Sequence, residues 1–350
     1  MAEALHIFDA LPGYLGGKRK LAKAIFSLVP PVQDAPVFID AFMGGASVSL
    51  MAKALGHQVI ANDIAYRSYI TGKALIENGR ARIGRLDVAM LCQEKQDVKR
   101  GFIEANFCPT VFTSKHARFL DDAFGIVRAL EDGPRKWLLL LLLLQKAIIY
   151  IRPYGKFSSP NAFGVPVEEG RIEDVKAKTY GSSIKAVLRP IPEVLEGLRQ
   201  TINGGVIDNS RKNRVYQLDV LEFLEQVTGD VAYFDPPYAG TAGYEENYHI
   251  LDEVLAGRIL EQKKSRFSEQ DGYRLLGNVC EASKHIQTII ISMGNAGGKL
   301  DCLREVEEIV ARSGRSVKSY RIKYAHLGAV ASEEHKAKNQ EYLIVGRANW

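Results

Sequence analysis

The residues best suited to chemistry follow a short apolar run, Val231–Phe234, late in the sequence. A run of β-branched and aromatic residues that stops at two prolines predicts a buried strand entering a stiff loop. Because Pro236 and Pro237 have no N–H to donate, the loop offers carbonyl acceptors beside the Asp235 carboxylate. The Tyr238 ring can stack on a planar group. Together these groups suit the exocyclic amino group of a base; a proline turn capped by Asp235 is the alternative.

Two further acids end predicted strands around a glycine turn. Residues 37–42 form a strand candidate containing Asp40, and Gly44 and Gly45 follow it. Asp63 ends the next strand, 18 residues after Gly45, near the spacing of about 20 at which an acid bonds ribose hydroxyls. The glycines lack the complete dinucleotide and P-loop patterns, which disfavours NAD or ATP. Two strand-end acids around one glycine turn nevertheless predict an adenosine-type ligand, with an Asn-Asp turn cap as the alternative for Asp63.

A glycine loop with basic residues lies near the start of the sequence. Gly16 and Gly17 precede Lys18, and apolar periodicity then predicts a helix. Glycine lets a ligand approach the backbone, and a helix N-terminus favours anions. Lys18 would then bind a carboxylate or a phosphate. A glycine turn with a surface lysine explains the same residues at least as well.

Strands and helices alternate on both sides of a long interior segment. Two strands precede it, and five follow at residues 214–219, 231–235, 287–292, 316–324 and 341–345. Seven strands alternating with helices predict an α/β fold with a mostly parallel sheet. We predict that the last two strands pair as an antiparallel edge.

The interior segment differs from its flanks in pattern and in charge. It has helical periodicity and few strand signals. Residues 64–213 hold 24 Lys and Arg against 16 Asp and Glu, whereas the net charge of the whole chain is only +5. This basic excess indicates polyanion binding, with a solvated basic face as the alternative. We predict a catalytic domain of residues 1–64 and 214–350 and an inserted domain of residues 65–213.

A polar, aromatic and basic loop lies at residues 150–161 of this insert. Such loops suit contacts with phosphates and bases. The candidate contacts are Arg152, Lys156, Phe157 and Asn161.

Composition excludes several other classes. The four cysteines form no CxxC pair, so we predict no metal site and no disulfide framework, and a reduced, cytoplasmic protein. The N-terminus lacks the pattern of a signal peptide. The seven leucines at residues 138–144 are far short of the ~20 residues needed to cross a bilayer, so we predict a buried core helix and no membrane partner.

The motifs in chain order resemble the Dam-like DNA adenine N6-methyltransferases. Tyr-x-Gly-Gly-Lys starts at Tyr14, Asp-x-Phe-x-Gly-Gly at Asp40 and Asp-Pro-Pro-Tyr at Asp235, with the basic insert before the last motif. The least similar part is the Arg-x-x-Gly-x-Phe of residues 152–157, where the family has Arg-x-Asn-x-x-Gly-x-Phe-Asn. The resemblance implies an AdoMet-dependent methyltransferase (Rossmann-like) fold: a seven-stranded, mostly parallel sheet with an antiparallel edge strand, plus an inserted, mainly helical target-recognition domain.

The resemblance also implies roles for the matching residues. The implied cofactor contacts are Tyr14, Lys18, Asp40, Phe42, Gly44, Asp63, Asp219 and Asp235. Among these, Asp63 would hold the ribose hydroxyls and Asp219 the adenine amino group of AdoMet. The target base would be held by Asp235, Pro236, Pro237 and Tyr238. Ser292 and Asn295 look like a later motif at the rim of the base pocket.

The implied reaction is methyl transfer from S-adenosyl-L-methionine to the N6 amine of adenine in duplex DNA. The base must leave the duplex, and Asp235 and the Pro236 carbonyl would accept its amine hydrogens. No Pro-Cys pair exists for cytosine-C5 chemistry. Cytosine N4 methylation needs the same amine geometry and stays an alternative, and a catalytically silent DNA-binding protein is the alternative of another class. A cognate restriction endonuclease is a further partner to consider; the sequence predicts no oligomeric state.

Overall fold

The computed structural model of the chain describes residues 3–14, 16–93, 100–109, 111–130, 134–151, 189–237, 244–261, 272–294, 302–323 and 340–349. The chain divides into two compact units. The sheet unit comprises Gly16–Gly72, Asn209–Tyr244 and Lys263–Trp350. The helical unit comprises Met1–Leu15, Lys73–Asp208 and Glu245–Gln262.

The sheet unit contains seven hydrogen-bonded strands in the order β3-β2-β1-β4-β5-β7-β6. Their bounds are β1 Val37–Asp40, β2 Gln58–Asn62, β3 Arg214–Tyr216, β4 Val231–Phe234, β5 Thr288–Gly294, β6 Arg315–Lys323 and β7 Gln340–Ala348. Strands β1 to β5 pair in parallel, whereas β7 runs antiparallel to both β5 and β6. The predicted α/β fold class, with antiparallel pairing at one edge of a mostly parallel sheet, is confirmed. Strand β7 itself lies second from the edge.

The helices follow the predicted alternation. In chain order they are α1 Ala22–Phe26, α2 Ser47–Ala54, α3 Tyr66–Gly72, α4 Arg85–Leu91, α5 Phe102–Phe107, α6 Ser114–Ala129, α7 Pro134–Ile151, α8 Ile191–Gly204, α9 Val220–Gln226, α10 Tyr244–Ala256, α11 Gly272–Ala282 and α12 Cys302–Arg312. A short 3-10 helix, Glu3–Ala10, precedes them. Side-chain caps fix several starts; for example, Thr113 accepts a hydrogen bond from the His116 N–H at the start of α6.

The chain order of the strands creates a switch point between β1 and β4. From β1 the chain winds outwards through β2 to β3, then returns to place β4 on the other side of β1. In open α/β sheets, ligands bind in the crevice beyond the carboxyl ends of the strands at such a point. The fold therefore predicts a binding site beside the last residue of β1 and the first residues after β4.

The two faces of the sheet differ because side chains alternate along each strand. One face packs against α9, α11 and α12 in a core that includes Ile39, Ala232, Ile291, Ile344, Phe223, Val279 and Val306. On the other face, near the carboxyl ends of the parallel strands, the buried side chains include polar ones. These are Asp40, Tyr233, Ser292 and Glu341.

The helical unit has the leucine-rich helix α7 at its centre. Each of the leucines at residues 138–144 is at most 8% exposed, which confirms the predicted buried core helix. Lys146, further along α7, donates to the carbonyls of Asp9 and Leu11 and so ties the N-terminal turn to the unit. In the part of the chain that the structure describes, no helix has both the length and the apolarity needed to span a bilayer.

The compact units differ in bounds from the two predicted domains. Helix α3, at residues 66–72, belongs to the sheet unit, because it packs closely there: a Cβ at Gly72 would lie 2.6 Å from Met43 and 2.8 Å from Val215. The N-terminal turn and most of α10 belong to the helical unit instead. That the helical segment recognises DNA remains a prediction.

Candidate active site

Three of the predicted acids lie at the carboxyl edge of the sheet. Asp40 is the last residue of β1, Asp63 follows β2, and Asp235 follows β4. Because these strands are neighbours and parallel, their carboxyl ends place the three acids along one edge. The charges of Asp235 and Asp63 both act on Asp40. The strand ends therefore bring together a row of carboxyl groups at the switch point.

Asp40 is the most deeply buried of the three, with 1% of its surface exposed. Its Oδ2 accepts a hydrogen bond of 2.6 Å from the hydroxyl of Ser49 on α2. Its Oδ1 is buried and makes no hydrogen bond within the described chain. Burial raises the pKa of the carboxyl from 3.8 to about 7; the Ser49 hydrogen bond opposes that shift, and the charges of Asp235 and Asp63 add to it. Asp40 can therefore gain or lose a proton near neutral pH.

The glycine turn after β1 has an unusual backbone. Gly44 has a φ of 52°, and Ala46, at the N-cap of α2, has a φ of 61°. Left-handed conformations cost a non-glycine residue free energy and mark turns that the surrounding structure enforces. The turn thereby directs α2 back over the strand and places Ser49 beside Asp40.

Asp63 fixes the same turn from the neighbouring strand. Its Oδ2 accepts the Gly44 N–H at 2.7 Å, and its Oδ1 accepts the Ala65 N–H at 2.8 Å. Burial raises the pKa of Asp63, and these two hydrogen bonds and the charge of Arg67 act against the shift. The predicted ribose acid is thus also the residue that holds the glycine turn in place.

Phe42 and Asp219 are two further predicted cofactor residues of the sheet unit. Phe42 is half-buried and packs against the apolar core of the sheet. Asp219 is the N-cap of α9, where its Oδ1 accepts the Leu221 N–H at 3.0 Å. A carboxylate can accept several hydrogen bonds, so the cap leaves Asp219 able to accept another donor.

Asp235 forms part of a buried charged group. Lys18 Nζ lies 2.9 Å from Asp235 Oδ1 and 3.2 Å from Glu341 Oε1. The Lys18 side chain is 4% exposed, that of Asp235 19% and that of Glu341 0%. Ser292 donates a hydrogen bond of 2.6 Å to the same Glu341 oxygen. The Lys18 ammonium thus bridges two carboxylates beneath the Asp-Pro-Pro-Tyr loop.

Three chain neighbours of Asp235 complete the local environment. Tyr233 lies two residues earlier on β4 and is 1% exposed. Burial, followed by the charge of Asp235, raises the pKa of the Tyr233 hydroxyl well above its ordinary value, so the phenol stays neutral. Pro236 is buried and Pro237 half-buried.

The remaining predicted residues belong to the helical unit or lie outside the described residues. Tyr14 belongs to the helical unit, where its ring stacks on Tyr248 with centroids 5.5 Å apart. The remaining predicted contacts lie outside the described residues: Tyr238, Arg152, Lys156, Phe157, Asn161 and Asn295. Within the described residues, no group of three or more His, Cys, Asp or Glu side chains could hold a metal ion.

Two residues of the edge were not predicted from sequence. Ser49 follows Asp40 by nine residues, and nothing in an isolated serine marks it as the partner of a strand-end acid. Glu341 precedes the apolar run of β7, and a charged residue at the start of a strand normally suggests a solvated end. Its complete burial beside Lys18 is visible only once β7 is placed next to β5.

A family model matches the N-terminal part of the chain. The model of D12 class N6 adenine-specific DNA methyltransferases covers residues 14–163. This range includes Lys18, the glycine turn and Asp63, and it ends in the insert. This match confirms the family resemblance that the motifs indicated.

Curated relatives extend the similarity to nearly the whole chain. Type II methyltransferase M2.HphI of Haemophilus parahaemolyticus is 28% identical over 334 residues, which is 95% of this chain and 96% of that protein. Type II methyltransferase M.NlaIII of Neisseria lactamica is 24% identical and covers 95% of this chain and 98% of its own length. Modification methylase StsI of Streptococcus sanguinis is 27% identical over 69% of this chain and 36% of its own.

Proposed function

We propose that this chain, whose residues 14–163 match the model of D12 class N6 adenine-specific DNA methyltransferases, methylates the N6 amine of adenine at a specific site in duplex DNA, with S-adenosyl-L-methionine as the methyl donor. One observation carries the proposal. The Asp235 carboxylate, which begins the Asp-Pro-Pro-Tyr motif, lies at the switch-point edge and is paired with the buried Lys18 ammonium. The names of the relatives, which describe type II methyltransferases, support the same activity.

The residues beside β1 and β2 fit the cofactor. Asp40 offers a buried oxygen, Oδ1, that makes no hydrogen bond within the described chain and therefore suits a donor group of a ligand. Gly44, held by Asp63, lets a ligand approach the backbone at the turn. The residues that would hold the cofactor are Tyr14, Lys18, Asp40, Phe42, Gly44, Asp63, Asp219 and Asp235. When bound, the cofactor supplies an electrophilic methyl group.

Asp235 and Pro236 would then activate the substrate amine. The exocyclic nitrogen of adenine is a poor nucleophile because its lone pair is delocalised into the ring. The Asp235 carboxylate and the Pro236 carbonyl can each accept a hydrogen bond from one N–H of the amine and so draw the nitrogen towards a tetrahedral geometry. Aligned reactants can lower the barrier by on the order of 7–11 kcal/mol, and acceptors aimed at the charge that develops on nitrogen contribute further.

The base must be outside the DNA helix for these contacts to form. Tyr238 is the proposed surface on which the extruded base stacks. Arg152, Lys156, Phe157 and Asn161 are the proposed DNA contacts of the insert, whose net positive charge favours a phosphate backbone. A cognate restriction endonuclease and a cytoplasmic location belong to the same proposal.

Product analysis tests the proposal directly. Purified protein is incubated with isotopically labelled AdoMet and with unmethylated genomic DNA, and the nucleosides are identified by mass spectrometry. N6-methyladenine is expected. N4-methylcytosine alone would replace adenine by cytosine as the substrate, and no methylated base on any DNA, with DNA binding retained, would favour the catalytically silent protein.

The recognition site needs a second experiment. DNA from cells that express the protein is sequenced by a method that detects modified bases in single molecules. Methylation confined to one short sequence is expected. Methylated adenines scattered without a shared sequence would contradict site specificity.

A further inference from the structure

Glu341 is a buried charged residue to which neither the motifs nor the family match assigns a role. Its side chain is 0% exposed, although it is the second residue of β7. Its Oε1 meets the Lys18 ammonium at 3.2 Å and accepts the Ser292 hydroxyl at 2.6 Å. Lys18 contacts Asp235 in turn, so Glu341 is one residue removed from the proposed amine acceptor.

The antiparallel direction of β7 explains how Glu341 reaches this place. Ser292 and Gly294 lie at the carboxyl end of β5, and the register pairs Gly294 with Glu341. A strand parallel to β5 would bring its last residues to this edge, whereas β7 brings its first. Glu341 therefore faces the switch-point edge from the side opposite Asp40, on the same face of the sheet.

Burial of this carboxylate has a cost that its contacts only offset. A buried ionised group must be paired and hydrogen-bonded, and replacing a buried ion pair by apolar residues is often neutral or stabilising. Stability alone therefore gives little reason for a glutamate at this position. Its geometry gives a better one, because the Lys18 ammonium is held from two sides, by Asp235 and by Glu341.

We propose that Glu341 is a positioning residue for the methyl-transfer step. With Ser292, it fixes the Lys18 ammonium against Oδ1 of Asp235, so that the Asp235 carboxylate meets the substrate amine in one orientation. Glu341 acts through Lys18 and touches neither substrate nor cofactor in this role. The inference rests on the proposed function of Asp235.

The Glu341→Gln variant tests the inference, because glutamine keeps the shape and an acceptor oxygen but removes the charge that holds Lys18. Hydrogen bonds to charged groups are the stronger ones, so we expect single-turnover methyl transfer at saturating AdoMet and DNA to slow about 10- to 100-fold. The dissociation constant for DNA should stay within about threefold of wild type, and that for AdoMet should rise far less than the rate falls, because Glu341 reaches the proposed cofactor contacts only through Lys18. A purely structural role would not separate the rate from binding in this way.

Ile344→Val is the matched control on the same strand. Ile344 is 0% exposed and points into the apolar core on the opposite face, so the variant should lower the melting temperature without slowing the transfer step. If Glu341→Gln slows transfer no more than Ile344→Val does, the positioning role is overturned.

Ser292→Ala keeps the experiment decisive if Glu341→Gln folds poorly. It removes one hydrogen bond from Glu341 and leaves both charges, so we expect a smaller loss of melting temperature than in Glu341→Gln and a transfer rate lower by about 3- to 10-fold. A fully active Ser292→Ala variant contradicts the inference. A wild-type chain that forms no product overturns the proposed function itself, whereas an active wild type with a fully active Glu341→Gln variant overturns only the positioning role.

Discussion

The two halves of the sheet edge hold their acids in opposite ways. Beside β1 and β2, Asp40 and Asp63 accept hydrogen bonds from a hydroxyl and from backbone N–H groups, and burial raises the pKa of both. Beside β4 and β7, Asp235 and Glu341 share one ammonium. Asp40 can therefore change its protonation state near neutral pH, whereas Asp235 and Glu341 have a buried ammonium between them.

The difference matches the two tasks of the proposed reaction. A cofactor site must fit a ligand that carries its own positive charges, and the buried Asp40 Oδ1, which makes no hydrogen bond within the described chain, suits such a ligand. A base-activating site must present a carboxylate in a fixed orientation to a neutral amine. Acids at equivalent strand ends thus acquire different chemistry from the groups that pack above them.

The largest expected effect tests the β4 half. Asp235→Asn should reduce the rate of methyl transfer by about 10²- to 10³-fold, because an acceptor aimed at the developing charge becomes a neutral amide. AdoMet affinity, measured by calorimetry, should fall far less than the rate, because Asp235 is only one of the proposed cofactor contacts. Asp230→Asn is the matched control: Asp230 precedes the same strand, and its carboxylate accepts the Val37 N–H at the opposite edge of the sheet. Equal losses in the two variants would remove the catalytic role of Asp235.

The next effect tests the β1 half through pH. The folded-state pKa of Asp40, about 7, lies above its ordinary value of 3.8, so its contribution to stability is complete below pH 3.8 and is lost as pH rises to about 7. Asp40→Asn has no such loss. Relative to wild type, the free energy of unfolding of the variant should therefore rise between pH 4.5 and 7.5, by up to a few kcal/mol.

Urea denaturation of both proteins across this range measures the difference. Asp219→Asn serves as control, since it alters an acid at a helix N-cap of the same unit. A difference between Asp40→Asn and wild type that does not change with pH would contradict the raised pKa of Asp40.

The smallest effect sharpens the comparison within the β1 half. Ser49→Ala removes the hydrogen bond that stabilises the ionised form of Asp40. AdoMet binding at pH 7 should weaken by about 3- to 10-fold, and the weakening should shrink as pH rises. Ser47→Ala is the control, because Ser47 lies on the same helix, α2, two residues before Ser49. An identical pH dependence of binding in wild type and Ser49→Ala would contradict this role of Ser49.

Sequence patterns predicted the parts of the site that depend on local structure. The acids Asp40, Asp63 and Asp235 follow apolar strands, and the parallel sheet puts such ends on one edge, so their convergence could be predicted. Ser49 could not, because its position depends on the left-handed backbone at Ala46, and alanine gives no sign of that conformation. Glu341 could not either, because the pairing of β7 with β5 joins residues far apart in the chain.

The division of the chain shows the same limit. The change from strand to helical periodicity placed the boundary near residue 65, but α3 packs against Met43 and Val215 and remains with the sheet. A helix shows in sequence which of its faces is apolar. Which unit covers that face is decided by packing.

The late position of β7 in the sequence has a consequence for the synthesis and folding of the protein. Chains fold from the N-terminal end as they are synthesised, and among the described strands β7 is the last to leave the ribosome. Lys18 and Asp235 are made earlier, yet the glutamate that meets the same ammonium is Glu341. On the positioning role proposed for Glu341, a nascent chain could form most of its cofactor edge and still lack full transfer activity until β7 has been synthesised.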